Sequence, residues 1–171
     1  GDIMYADLNG DGEISNGANT LEEHGDMKII GNNTPRYNYG ITLDAAYKGF
    51  DFSVFFQGIG KRDYWVSGAY FWGATGGMWQ SAGFTEHWDF FRGEDNPLGA
   101  NLNAYYPRPL FTSGKNMQTQ SRYLQDASYL RMKNIQLGYT LPKSITSKAG
   151  MQSVRVYVSG DNLATISSMS K

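Results

Sequence analysis

The residues whose types and spacing come nearest to a chemical device lie close to the start of the chain, in Asp7-Leu8-Asn9-Gly10-Asp11-Gly12-Glu13-Ile14-Ser15. Oxygens from Asp7, Asn9 and Asp11 alternate toward one centre. Gly12 permits a sharp turn, Glu13 offers its backbone carbonyl and Ile14 anchors the loop, as at the opening of an EF-hand or dockerin calcium loop. The twelfth position is Ala18, where such a loop carries a bidentate acid, so closure falls to Glu22, Glu23 or Asp26 beyond an insertion. The expectation is a structural calcium ion; the plainer reading is an Asx-rich turn without metal.

A second cluster, Thr85-Glu86-His87-Trp88-Asp89, sets an imidazole between two acids. Adjacent residues of an extended chain point in opposite directions, and the other histidine, His24, sits in an unrelated acidic stretch. A surface-loop histidine is the better reading, since no nucleophile motif or metal-ligand spacing accompanies it. Gly73-Ala74-Thr75-Gly76-Gly77 is not a phosphate loop, because no Lys-Ser/Thr pair follows it. No catalytic residues are assigned and the chain is not read as an enzyme. The remaining candidates are aromatic: Trp65, Tyr70, Trp72 and Trp79 stand out as surfaces for a sugar ring, a peptide side chain or a protein partner, with packing that orders the loop itself as the plainer reading.

The whole chain has 171 residues, 15 Lys+Arg against 16 Asp+Glu, and a net charge of -1, which gives no electrostatic reason to expect nucleic acid as a partner. Cysteine is absent, which removes disulfides and thiolate chemistry and suits an exported protein. Aromatic residues make up 15% of the chain and come with 21 glycines, a mixture that reads as strands and turns. The longest apolar run, 69–72, falls far short of the ~20 residues of a spanning helix. Without an initiating Met or a basic amino terminus leading into an apolar stretch, the chain reads as a fragment.

Four segments alternate with period two and would position these residues. Tyr37, Tyr39, Ile41, Leu43, Ala45 and Tyr47 share one face, with Asp44 on the other. Phe50, Phe52, Val54 and Phe56 oppose Asp51, Ser53 and Gln57, with Phe55 the exception on the polar side. Only Lys48-Gly49 separates these runs, and a two-residue hairpin puts both apolar sets on one face. The third run sets Ile135, Leu137, Tyr139 and Leu141 against Asn134, Gln136, Gly138 and Thr140. The fourth sets Val154, Val156 and Val158 against Arg155, Tyr157 and Ser159. Strands are expected over 37–47, 50–60, 129–141 and 153–163, antiparallel.

Continuing the third run backwards puts Lys133, Arg131 and Tyr129 on the apolar face; either a bulge resets the register or that end stands above the bilayer, and the second reading is preferred. The connections alternate tight, long, tight, with roughly seventy residues between the second and third runs, as in a transmembrane barrel with short periplasmic turns and long outer loops. The organisation expected is an outer loop over 1–36 with the Asp-rich motif, a barrel hairpin over 37–60, a long outer loop over 61–128, and two further strands with the start of the next loop over 129–171. A soluble β-sandwich shows the same alternation, so a β-rich calcium-dependent carbohydrate-binding module stays open as the alternative.

Several stretches then resemble the SusC/RagA family of TonB-linked outer-membrane transporters: GDIMYADLNGDG over 1–12, IGN over 30–32, PRYNYG over 35–40, YKGFDFSVFFQG over 47–58, YLRMKNIQLGYTLP over 129–142 and VRVYVSGDNL over 154–163. The resemblance implies an all-β fold, about four antiparallel strands near the end of a roughly 22-stranded barrel filled by a plug. It implies the outer membrane of Bacteroidetes-type Gram-negative bacteria, import of a glycan or peptide, a SusD-like surface lipoprotein as partner and TonB contacts made elsewhere in the protein. The closing strand would follow Leu163. The stretch 16–25 departs from the family pattern as an insertion.

Overall fold

The computed structural model describes residues 1–73 and 83–169. Six strands follow in order: β1 (Arg36–Tyr47), β2 (Phe50–Lys61), β3 (Asp63–Trp65), β4 (Leu124–Asp126), β5 (Tyr129–Thr140) and β6 (Arg155–Ser167). A four-stranded antiparallel sheet runs β1-β2-β5-β6, while β3 and β4 pair with each other. The chain divides into two compact units. A strand unit takes residues 32–64 and 125–171, and a loop unit takes 1–31 and 65–124. The first and second outer segments, expected as separate loops, thus belong to one body.

The strand unit follows from its period-two pattern. Lys48 and Gly49 both take positive φ, 47° and 89°, the backbone that a two-residue hairpin loop demands, so Tyr47 pairs with Phe50. From that pair the rows propagate. Tyr47, Phe50, Tyr139 and Val156 line up across the sheet, then Ala45, Phe52, Leu137 and Val158, then Leu43, Val54, Ile135 and Gly160. Every row on this face is apolar or glycine. Tyr37 and Tyr47 bracket the face on β1; ten residues at ~3.3 Å rise, tilted by ~40°, project to about 25 Å, the height of a barrel's lipid-facing band.

On the opposite face Asp44, Ser53, Gln136 and Ser159 share a row, and Ala46, Asp51, Gly138 and Tyr157 share the next. Arg155 reaches across β5 to Asp51, its Nε donating at 3.0 Å and its Nη2 making the second bond of the pair. The Gln136 amide oxygen also faces this guanidinium. Gly138 makes the crossing possible, since a Cβ there would lie 2.6 Å from the Arg155 Nη2 and the Asp51 carboxylate.

Of the two readings of Lys133, Arg131 and Tyr129, the bulge holds and the preferred one, an apolar-face end lifted out of the bilayer, does not. Phe55 pairs with Asn134 but Phe56 with Met132, so Lys133 is an extra residue in β5; against β6, Asn162 and Leu163 are extra as well. The bulge resets the phase. Met132 joins Ile41, Phe56 and Ala164 in an apolar row, and Arg131 falls between Gln57 and Thr165 on the polar side, with its Nε donating to Thr165 Oγ1 at 3.1 Å. Asn162 takes φ 53° and accepts from Lys133 Nζ at 3.0 Å. The last strand runs to Ser167, beyond the expected 163, because past the bulge Thr165 and Ser167 still find partners in Arg131 and Tyr129. The tight connection after Pro142 is a short helix (Lys143–Thr146) and a 3-10 turn, closed where Leu141 N–H donates to the Val154 carbonyl at 2.9 Å.

Candidate functional site

The loop unit has little regular structure, and aromatic side chains supply its core. Tyr123 is 1% exposed; its hydroxyl donates to the Tyr105 carbonyl at 2.5 Å, and its ring meets Trp72, Tyr105 and Phe71 edge-on at 5.0, 5.5 and 6.0 Å. Such tilted pairs align ring edge with ring face, where the quadrupoles attract. Burial pushes the Tyr123 and Tyr106 phenols up. Trp72 closes a short helix (Ala69–Trp72), packs on Trp65 at 5.7 Å and donates its indole N–H to the Val66 carbonyl at 2.9 Å.

Of the four aromatic candidates, Trp65 and Trp72 therefore hold the unit together, while Tyr70 is 85% exposed and stacks on Phe84 at 5.6 Å. Trp79 lies outside the described residues.

His87 belongs to the same core. Its Nδ1 accepts from the Phe84 N–H at 2.8 Å, which fixes the proton on Nε2, and Nε2 donates to the Phe71 carbonyl at 3.0 Å. Both ring nitrogens are committed to backbone, which makes the histidine of the surface-loop reading a tie between two segments. Asp89 accepts from the Asn101 amide at 2.8 Å and from the Tyr105 N–H at 3.1 Å, and these bonds hold its carboxyl below the usual range. Beside this core lies a cavity of about 290 Å³ lined by Phe84, Trp88, Phe90, Tyr106, Pro109 and Met117, among others. Sequence reading noted the aromatic density here but had no periodicity from which to assemble the pocket.

The first segment is tied to the second by Asp2. Its carboxylate accepts from Arg108 Nη2 at 2.9 Å, Lys115 Nζ at 2.8 Å and Asn116 Nδ2 at 3.3 Å, and Lys115, then Asn116 and Arg108, hold its carboxyl well below the usual range. Asn116 is buried and its Oδ1 accepts from the Ile3 N–H at 2.9 Å.

The Asp-rich loop is organised by its own side chains. Asp7 accepts from the N–H groups of Gly10 and Gly12 at 2.6 and 2.9 Å, and Asp11 from that of Glu13 at 2.8 Å. Gly10 and Gly12 take φ 79° and 85°, the backbone these Asx turns require. Asp26 accepts from Leu8 at 2.6 Å and Ser15 at 2.8 Å, and the Ser15 bond leads in holding its carboxyl below the usual range. Of the three acids proposed to close the loop, Asp26 is thus brought to it. Glu23 instead uses its backbone, exchanging bonds with Thr20. No three carboxylate or imidazole side chains among the described residues converge as a ready metal cluster. The stretch 16–25 is an excursion pinched at its base, where the Asp26 N–H donates to the Ser15 carbonyl at 2.8 Å and the backbones of Gly17 and Gly25 touch.

A long-looped antiparallel sheet with one apolar and one polar face defines the class. No family model matches the chain. It is 36% identical over 168 residues to TonB-dependent receptor P3 of Formosa agariphila, covering 96% of this chain and 14% of that protein. To TonB-dependent receptor P26 of the same organism it is 28% identical, covering 95% and 15%. Among solved structures, the RagAB peptide importer in its open–open state matches with TM-score 0.62 and 25% identity over 86% of this chain and 15% of that one; the closed–closed state gives 0.60 and 26%. The chain spans about one seventh of the length of the relatives it matches. It is a SusC/RagA-like segment of a TonB-dependent receptor, and the proteins it resembles are receptors and importers rather than enzymes.

Proposed function

We propose that the chain supplies four strands of wall and an extracellular loop body to a transporter of about 22 strands in the outer membrane. The whole protein would import a glycan or peptide fragment, driven through TonB and capped by a SusD-like lipoprotein. One observation carries this reading. The apolar rows of the sheet stay largely open, with Leu43 55%, Leu137 47%, Val156 63% and Val158 68% exposed, while Val54 in their midst is covered by its neighbours to 4%. A soluble sandwich would bury such a face against a second sheet about 10 Å away, whereas a barrel gives it to lipid. Exposed tyrosines at Tyr37, Tyr39 and Tyr47 suit the interfacial girdles of that environment.

Fluorophores on single cysteines test this in the full-length receptor. Labels at Leu43→Cys, Leu137→Cys and Val156→Cys should be quenched by brominated lipid, and labels at Asp44→Cys and Gln136→Cys by aqueous iodide. Iodide quenching of the first set with no lipid quenching would support the soluble module instead.

The Asp-rich loop would serve as a structural clip. Asp7, Asn9, Asp11 and the Glu13 carbonyl, with Asp26 as the acid, form a hard-oxygen set of the kind calcium takes. Chelation should then raise protease cleavage within 7–26, and Asp11→Ala should abolish that calcium response.

A further inference from the structure

We propose that the loop unit contains a preformed pocket for one large apolar side chain, aromatic or branched aliphatic, of an imported peptide. This rests on the transporter reading above and sharpens its cargo. The cavity, at about 290 Å³, lies at the small end for ligand sites, a size suited to one side chain rather than a chain of sugars. Phe84 and Trp88 stand at its rim, 48% and 60% exposed, and Phe90, Tyr106 and Met117 form deeper walls.

The walls are fixed before anything binds. Arg92 lies over the rings of Trp88 and Phe90, 5.7 and 4.9 Å from their centroids, and is itself held by the carbonyls of Trp88 and Gly99. His87 ties Phe84 to Phe71 through its two nitrogens. Such preorganisation removes the ordering cost that a mobile aromatic surface would impose on binding.

The chemistry of the lining selects the ligand. Several polar groups at the cavity are engaged elsewhere: Trp72 Nε1 with Val66, both His87 nitrogens with backbone, Arg108 with Asp2, and the Asn116 amide with Ile3, Asp2 and the Arg108 carbonyl; the Tyr106 hydroxyl and Ser113 complete the polar part of a mainly apolar lining. A sugar entering here would bury hydroxyls against carbon and lose their hydrogen bonds to water, whereas an apolar side chain loses nothing of the kind. Aromatic rims alone would suit both ligands; the aliphatic wall of Pro107, Pro109, Leu110 and Met117 behind them favours the apolar side chain.

The test uses the full-length receptor in detergent and the photoreactive peptide acetyl-Gly-benzoylphenylalanyl-Gly-amide. Crosslinks should map within 84–117. Acetyl-Gly-Phe-Gly-amide should displace the probe at least about tenfold more strongly than the Ser analogue, and maltohexaose should not displace it. Leu110→Trp, which fills the cavity, should reduce labelling about tenfold while protease protection of the unit stays parental. Crosslinks confined to other regions, or equal displacement by maltohexaose, would overturn the pocket. Either result would leave the lipid-quenching pattern of the strands intact, so a failed pocket is distinguishable from a failed transporter reading.

Discussion

In the strand unit, every residue from Phe50 to Ile59 has a partner on both sides, and one two-residue turn propagates its register through four strands. In the loop unit the chain from 83 to 123 holds only short helical turns and two isolated bridges, Phe90 with Tyr106 and Arg92 with Asn101. There the order comes from rings packed edge to face and from carboxylates receiving backbone and side-chain donors. A ladder is indifferent to most single side chains because the backbone makes it. A body held by side chains depends on a few of them.

That contrast is broken most forcefully at Tyr123. Replacing it by Ala removes the most buried ring of the loop unit and should cost about 3–5 kcal/mol locally. Limited proteolysis of the full-length receptor should then cut within 65–124 while heat-modifiable gel mobility, the signature of an intact barrel, is retained. Loss of both together would mean that the two units are not ordered by separate means. Leu43→Arg makes the converse test, placing a charge near the middle of the apolar face. Urea titration in lipid vesicles should show a loss of about 2–4 kcal/mol, against less than ~1 for Asp44→Arg on the polar face. Equal costs at the two positions would remove the distinction between the faces.

Acid sharpens the comparison further, with a smaller effect. Asp2, Asp26 and Asp89 all titrate below their unfolded value of about 3.9, so their ionised forms support the folded loop unit. That support is complete above about pH 4 and is lost as pH falls through their lowered folded values. Protease protection of the loop unit should decline over that acid range, and Asp26→Asn should flatten the decline. A sheet held by backbone pairing should keep its amide exchange protection through the same range.

How much was legible follows from the same physics. Tyr47, Lys48, Gly49 and Phe50 disclose the hairpin because turn chemistry and alternation are local, and they fixed β1 and β2 to within a residue at each end. The charges of Lys133 and Arg131 on the apolar face disclose a break in the pattern, but composition cannot choose a bulge over an end above the bilayer; the partners Phe56 and Ala164 do. Asp26 was one of three acids in reach of the Asp-rich loop, and spacing alone could not choose it from Glu22 and Glu23. The salt link from Asp2 to Lys115 joins positions more than a hundred residues apart, which no local pattern encodes. For Trp65 and Trp72 the sequence leaves ligand contact and loop packing both open, because large aromatics look alike whether they receive a guest or pack on one another; the structure shows the packing.

The pinched excursion between Ser15 and Asp26 has a consequence for how this surface can be remodelled. Because the two flanking residues already exchange hydrogen bonds, Asp26 N–H to the Ser15 carbonyl and Ser15 N–H to the Asp26 carboxylate, the chain between them spans no distance that the rest of the loop unit relies on. Doubling its length would cost only about 0.6 kcal/mol in closure entropy. Leu21 at its tip is 92% exposed and packs on nothing that would be lost. The excursion is therefore a socket for grafting: an epitope, a fluorophore-binding tag or a foreign recognition loop could replace residues 18–23 and be carried by the receptor with Asp26 still gripping Leu8 and Ser15.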